Sequence, residues 1–354
     1  MVDASPVLEV RDLDVRFGTK RGLAHVVRGV DYDLHAGETL AIVGESGSGK
    51  SVSTLALTKL IPIPPGRVTG TARLQGTDLI ACSETELLRF RGRHIGFVFQ
   101  DPMTSLNPVH PIGRQLTEGM RHHLGIDETE ARERAVDLLD QVGIPSPASR
   151  LDDYPHQFSG GMRQRVVIAI GLSCDPEVLV ADEATTALDV TTQAQIVELI
   201  GDLQERRGMA VIWITHDLGV VAGIADRVLV MYGGQVVESA PADALFTHPR
   251  HPYTVGLMRS LPVLGARRNV ELAAIPGLPP APTDLPPGCA FHPRCSYRLD
   301  PRCELEPPPL VEVATGHHVR SFYEVPADEA RAASAASRIE VAPPDRRDDP
   351  EVGA

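Results

Sequence analysis

The chain has 354 residues, 42% hydrophobic and 23% charged, which is material for one large soluble domain or two ordinary ones. A net charge of −13 argues against a general nucleic-acid binder, which needs a basic face. No run approaches the roughly 18–20 apolar residues of a membrane-spanning helix, and Met1–Ser5 lacks the basic and apolar parts of a secretory signal, so the expectation is a soluble, intracellular chain.

Residues 7–43 read as short strands. Val7–Val15 alternates in part, and Thr39–Val43 is an apolar run that enters a Gly-rich loop. A helix is expected from near Gly49 to about Leu60, where Pro62, Pro64, Pro65 and Gly66 break it. His94–Phe99 reads as a buried strand. Residues 101–176 then change texture. They carry helical patterns, such as Glu128–Val142 with Leu138, Leu139 and Val142 on one face, and no convincing strand. Val178–Ala181 and Ala210–Thr215 are β-rich apolar runs flanked by helices, which predicts a parallel sheet covered on both faces, with Trp213 in its core.

Beyond about residue 247 the composition shifts again. Ile275–Leu310 holds 11 of the 30 prolines, which excludes regular helix or sheet there and predicts an extended appendage fixed by something other than a hydrophobic core. From about Val325 the chain is rich in Ala, Pro and charge and reads as a flexible tail. The expected organisation is an α/β domain over 1–260 with a helical subdomain inserted at about 101–176, a Pro/Cys-rich region over 261–324, and a tail over 325–354.

Gly44-Glu45-Ser46-Gly47-Ser48-Gly49-Lys50-Ser51 fits G-x-x-x-x-G-K-[ST] in full. Glycines let the backbone curl so that successive N–H groups cradle phosphate oxygens, and the helix that follows aims its positive end at the same anion. Lys50 would reach the β- and γ-phosphates, and the Ser51 hydroxyl would ligate Mg²⁺. The strand before the motif and the helix after it mark a P-loop NTPase core that binds ATP.

Val178–Ala181 leads into Asp182-Glu183. At the carboxyl end of a strand beside the phosphate loop, Asp182 would hold the Mg²⁺ shell and Glu183 would polarise the attacking water as general base. His216 follows the strand Ala210–Thr215 and would contact a γ-phosphate from the sheet edge. Gln100 ends the strand His94–Phe99, where its amide would ligate Mg²⁺ or water and report nucleotide to the helical subdomain.

Together with Phe158-Ser159-Gly160-Gly161-Met162-Arg163-Gln164, these elements resemble the ABC ATPase family. That segment is similar to the family's signature, usually Leu-Ser-Gly-Gly-Gln, with Phe158 and Met162 replacing its first and last positions. Ser159 and the free N–H groups of Gly160 and Gly161 open a helix and form a second anion site. The resemblance implies a head-to-tail pair of subunits in which this signature, with Gln164 beside it, faces the γ-phosphate on the partner's loop. It also makes Gln100 the Q-loop residue, Ala187-Leu188-Asp189 the D-loop, His216 the switch histidine and Phe17 the aromatic that stacks on adenine; plain core packing is the alternative for Phe17. Ala184 departs from the Pro found in many relatives.

A narrower resemblance, to importers of dipeptides, oligopeptides and nickel, rests on three segments. These are Gln100–Pro108, Glu183–Asp189 and His248-Pro249-Arg250-His251-Pro252-Tyr253-Thr254, with Ile275–Pro279 opening the Pro-rich region. It implies a peripheral protein on the cytoplasmic face of the membrane. Its partners would be a second, different ATPase chain, two membrane permeases and an external substrate-binding protein. Import of another small solute, or ABC ATPase work outside transport, is the alternative.

Of five cysteines, an odd count that argues against a disulfide framework, Cys289, Cys295 and Cys303 crowd together. The segment Gly288–Cys295 with Cys303 resembles the C-terminal region of peptide-importer ATPases, some of which hold a [4Fe–4S] cluster with a fourth Cys downstream. Here Ser321 stands at that position. Three readings stay open: a cluster held by three thiolates with Ser321, His317, His318 or solvent, a Zn²⁺ site, or no metal. Cys82 and Cys174 read as packing residues.

Overall fold

A computed structural model describes residues 5–186, 188–261, 274–323 and 325–337. Its strands in chain order are β1 (Leu8–Thr19), β2 (Gly22–Leu34), β3 (Thr39–Val43), β4 (Gly66–Leu74), β5 (Thr77–Asp78) and β6 (Ile95–Val98). Then come β7 (Val178–Asp182), β8 (Ala210–Thr215), β9 (Arg227–Tyr232), β10 (Gln235–Pro241), β11 (Val311–Ala314) and β12 (His317–Val319).

β3, β7 and β8 are apolar almost throughout because both of their faces are covered. In β8, Ala210, Ile212 and Ile214 face one core while Val211 and Trp213 face another. In β3, Leu40 and Ile42 share the first core, and Ala41 and Val43 turn to a third. This is the period-2 logic of a doubly covered strand. The five strands β9-β3-β8-β7-β6 run parallel, and β10, β12 and β11 extend the same sheet antiparallel, in the order β11-β12-β10-β9-β3-β8-β7-β6. A separate antiparallel sheet, β2-β1-β4-β5, shares the first core.

The first two strands are not short: β1 has 12 residues and β2 has 13, paired through a register broken by bulges between Val10 and Arg16. Strict alternation is lost at those bulges, so sequence periodicity under-reads the strand length. Between β6 and β7 the described elements are helical. The longer ones are Ile112–Leu124, Glu128–Gln141 and Gly160–Leu172, gathered on the second core by Leu116, Leu138, Leu139 and Val166.

Two expectations for the C-terminal part need correction. The Pro/Cys-rich segment does have a hydrophobic anchor, because Ala290 and Phe291 are buried in the third core with Tyr232 and Tyr253. Residues expected as tail form the helix Ala327–Ser337, which buries Ala330 and Ala333 in that core. Alanine carries high helix propensity and enough apolar surface for this face; residues 338–354 lie outside the described residues. Among the described residues no helix is long and apolar enough to cross a membrane.

Candidate nucleotide site

The parallel strands deliver their carboxyl ends to one edge, where ligands bind in open α/β sheets. Val43 aligns with Thr215, Asp182 with Ile214 and Val98 with Ala181. Gly44, Glu183, His216 and Gln100 therefore leave four neighbouring strands within about two residues of a common line.

Gly44–Ser51 runs from β3 into the helix Lys50–Leu57, which ends three residues earlier than expected. Two glycines are compulsory. At Gly44 (φ 151°) a Cβ would lie 2.2 Å from the Met231 carbonyl oxygen, and at Gly49 (φ 100°) 2.6 Å from that of Val26. Ser46 and Gly47 form the exposed tip, while Ser48 is buried with its hydroxyl unpartnered and free for an anion. Lys50 is 5% exposed, and its Nζ lies across the loop, donating to the carbonyls of Gly44 (2.8 Å) and Glu45 (3.1 Å). Burial lowers the lysine pKa, and the nearby charges of Glu183, Asp182 and Glu45 oppose that shift.

Ser51 Oγ donates to Asp182 Oδ1 at 2.8 Å, so the two expected Mg²⁺ ligands already meet. Burial raises the pKa of Asp182 against that hydrogen bond. A buried carboxylate beside a hydroxyl, at the foot of a phosphate loop, is the oxygen donor set that suits Mg²⁺.

Glu183 takes φ 48°, an uncommon conformation for a non-glycine residue and one that concentrates at active sites. Its carboxylate accepts from Gln100 Nε2 at 2.9 Å and from Thr186 Oγ1 at 3.2 Å, and it lies 3.5 Å from His216 Nδ1. Glu183, Gln100 and His216 thus form one cluster. Sequence reasoning missed Thr186.

Ser159 caps the helix Gly160–Leu172, accepting from the Met162 N–H. Ser159 and Gly160 are exposed, and a Cβ at Gly160 would meet nothing within 4 Å, so this helix start is open to an approaching anion. Gln164 differs from expectation. It is 1% exposed on the inward side of the helix, where a molecule arriving from solvent cannot touch it. Asp189 caps Val190–Arg207 through the Thr192 N–H at 3.0 Å, and Ala187 lies outside the described residues. Phe17 is half-buried against the first core and Gly66.

Cys289, Cys295, Cys303 and Ser321 do line one pocket, with His251 and Tyr323. They do not fit a metal. Among the described residues no group of three or more His, Cys, Asp or Glu side chains is arranged to hold one. Burial raises the pKa of all three thiols in the metal-free protein, that of Cys289 to about 11. Ser321 is committed elsewhere, its hydroxyl donating to the Tyr323 carbonyl at 2.7 Å and accepting from the Tyr323 N–H. The [4Fe–4S] and zinc readings are therefore not supported.

A tie that sequence reasoning missed joins this region to the phosphate loop. Arg294, with its side chain 5% exposed, forms a two-pronged pair with the Glu45 carboxylate (2.5 and 3.0 Å) and donates to Tyr232 Oη at 3.2 Å. The Glu45 N–H donates to Tyr253 Oη at 2.8 Å. One available signal was a carboxylate inside a phosphate-binding loop, which calls for a cation.

Comparison with known proteins agrees with this geometry. Residues 27–186 match the ABC transporter family, and 237–303 match the oligopeptide/dipeptide transporter C-terminal region. The chain is 53% identical to the oligopeptide transport ATP-binding protein OppD of Bacillus subtilis (strain 168), over 91% of this chain and 90% of that one. It is 48% identical to the dipeptide transport ATP-binding protein DppD of Escherichia coli (strain K12), over 92% and 98% respectively. Among solved structures it resembles the dimeric post-hydrolysis state of the ATP-binding cassette MJ0796 bound to ADP and Pi. That match has a TM-score of 0.60 and 26% identity, covering 66% of this chain and 98% of that one.

Proposed function

The chain belongs to the ABC transporter family of ATP-binding proteins, and from that premise we propose how its residues power transport. It is the ATP-binding and hydrolysing subunit of a peptide importer. The observation that carries the residue roles is the meeting of Gln100, Glu183 and His216 beside the phosphate loop.

ATP sits in Gly44–Ser51, its phosphates taken by backbone N–H groups, the Ser48 hydroxyl and Lys50. Ser51 and Asp182 would hold the accompanying Mg²⁺, which neutralises phosphate charge. Glu183 accepts the proton of the attacking water, and His216 and Gln100 hold its carboxylate in place. The strained backbone at Glu183 fixes that carboxylate at the strand end. Phe17 offers its partly open ring to the adenine.

The exposed helix start at Ser159–Gly161 serves the γ-phosphate on a second ATPase subunit in a head-to-tail pair, and Asp189 lies at the same interface. The two motif sets are complete in one chain, so this subunit is a working member of its pair. The partner is a different ATPase chain. The pair docks on two membrane permeases at the cytoplasmic face, served by an external substrate-binding protein. The helical region between β6 and β7 grips the permeases and moves when nucleotide closes the pair.

Glu183→Gln in the assembled transporter tests the assignment. It keeps shape and removes the base, so turnover should fall by about 10²–10⁴-fold while ATP stays bound. Unaltered steady-state ATPase activity would refute the role of Glu183.

A further inference from the structure

Glu45 places a negative charge inside a loop that must bind a highly negative ligand. Its charge reaches the lysine that grips the phosphates, since Glu45 is among the groups acting on Lys50. Left alone, the carboxylate would repel nucleotide across a partly desolvated gap. Its neutraliser lies 249 residues further along the chain.

Arg294 is built for that task. Its guanidinium is buried and bonds both Glu45 oxygens. It is aimed by donation to the carbonyls of Pro276 (2.9 Å) and Ile275 (3.3 Å) and to Tyr232 Oη. Arg294 sits on a short turn, His292–Arg294, whose neighbour Phe291 packs edge-on against Tyr232 at 5.2 Å and lies 5.4 Å from Tyr253. Tyr253 in turn takes the Glu45 N–H. Behind the loop, a Cβ at Gly233 would come within 2.8 Å of Ala290 Cβ, and the Gly234 N–H donates to the Ser48 carbonyl at 3.1 Å. The Pro/Cys-rich segment thus contacts the phosphate loop through a charge pair, a tyrosine hydroxyl and the β9–β10 turn.

We propose that Arg294 is a positioning residue of the nucleotide site: it neutralises Glu45 and turns its carboxylate away from the phosphates, making the C-terminal appendage a structural part of the ATP-binding loop. This rests on the assignment of Gly44–Ser51 as the ATP site.

The test is a cycle on the full-length chain in its assembled transporter, with ATP dissociation constants measured for the unmodified protein, Arg294→Met, Glu45→Gln and the double variant. Arg294→Met orphans the carboxylate and should weaken ATP binding by about tenfold or more. Adding Glu45→Gln removes the offending charge and should restore affinity to within about threefold of the unmodified protein. A merely structural role for Arg294 would instead lower the melting temperature of Arg294→Met and leave the ATP affinity of its folded fraction unchanged. If Arg294→Met is too unstable to assay, the comparison falls to the double variant, because a buried ion pair replaced by neutral partners is tolerated where a broken one is not. Unchanged ATP affinity in Arg294→Met, or a double variant as defective as the single one, overturns the proposal. Failure of the unmodified chain to bind ATP would instead overturn the ATP-site reading beneath it.

Discussion

The phosphate loop and the C-terminal appendage are built on opposite plans. The loop is local: eight consecutive residues, two compulsory glycines and one helix start make a site that short-range backbone geometry dictates. The appendage has little regular structure between Ile275 and Leu310, and it is held by distant partners, with Phe291 on two tyrosines and Arg294 on Glu45. Function depends on both kinds of construction. A local motif can place donors around a phosphate, but the Glu45 carboxylate of the loop is paired by Arg294, from far along the chain.

If the appendage is a core element, its anchor must carry weight that its surface does not. Phe291 is 4% exposed, whereas Leu278 in the same segment is 87% exposed. Phe291→Ala should cost about 3–5 kcal/mol and lower the melting temperature by roughly 10 °C. Leu278→Ala should change it by less than about 1 °C. Equal, small shifts in a thermal denaturation series would break the comparison and return the segment to a loose attachment.

A smaller effect of opposite sign belongs to the loop side. Burial raises the Asp182 pKa, so the folded, nucleotide-free protein holds that proton more tightly than the unfolded chain does. Its stability therefore falls as pH rises from the ordinary aspartate value of about 3.9 through the raised one, and the loss persists at neutral pH. Asp182→Asn removes that cost. The variant should unfold roughly 1–3 °C higher without nucleotide and lose most of the stabilisation that Mg²⁺ and ATP give the unmodified protein. A lower melting temperature in the nucleotide-free variant would contradict this reading of Asp182.

The same contrast explains what could be read in the sequence. The spacing of Gly44–Ser51, the strand that ends at Asp182-Glu183 and the helical run between β6 and β7 all follow from neighbours a few residues apart. The burial of Gln164 did not follow, because its side of the helix is set by the packing of Val166, Val167 and their neighbours rather than by the signature. The three cysteines invited a metal, yet Ser321 turns back on Tyr323 and no metal-holding group forms among the described residues. β12 pairs with β10 through Ser239 and His318, a register fixed only in three dimensions. Arg294 was invisible for the same reason. Nothing near residue 294 signals a phosphate, although Glu45 did signal a missing cation.

The union of loop and appendage is tested most directly by amide hydrogen exchange on the assembled transporter, with and without ATP. ATP binds only when Glu45 is held aside, so occupancy should suppress the local openings that break its pair with Arg294. The account predicts that ATP slows exchange both in Gly44–Leu57 and in the segment 288–296, some 240 residues away in sequence. Protection confined to the phosphate loop and its helix, with 288–296 exchanging at an unchanged rate, would contradict it.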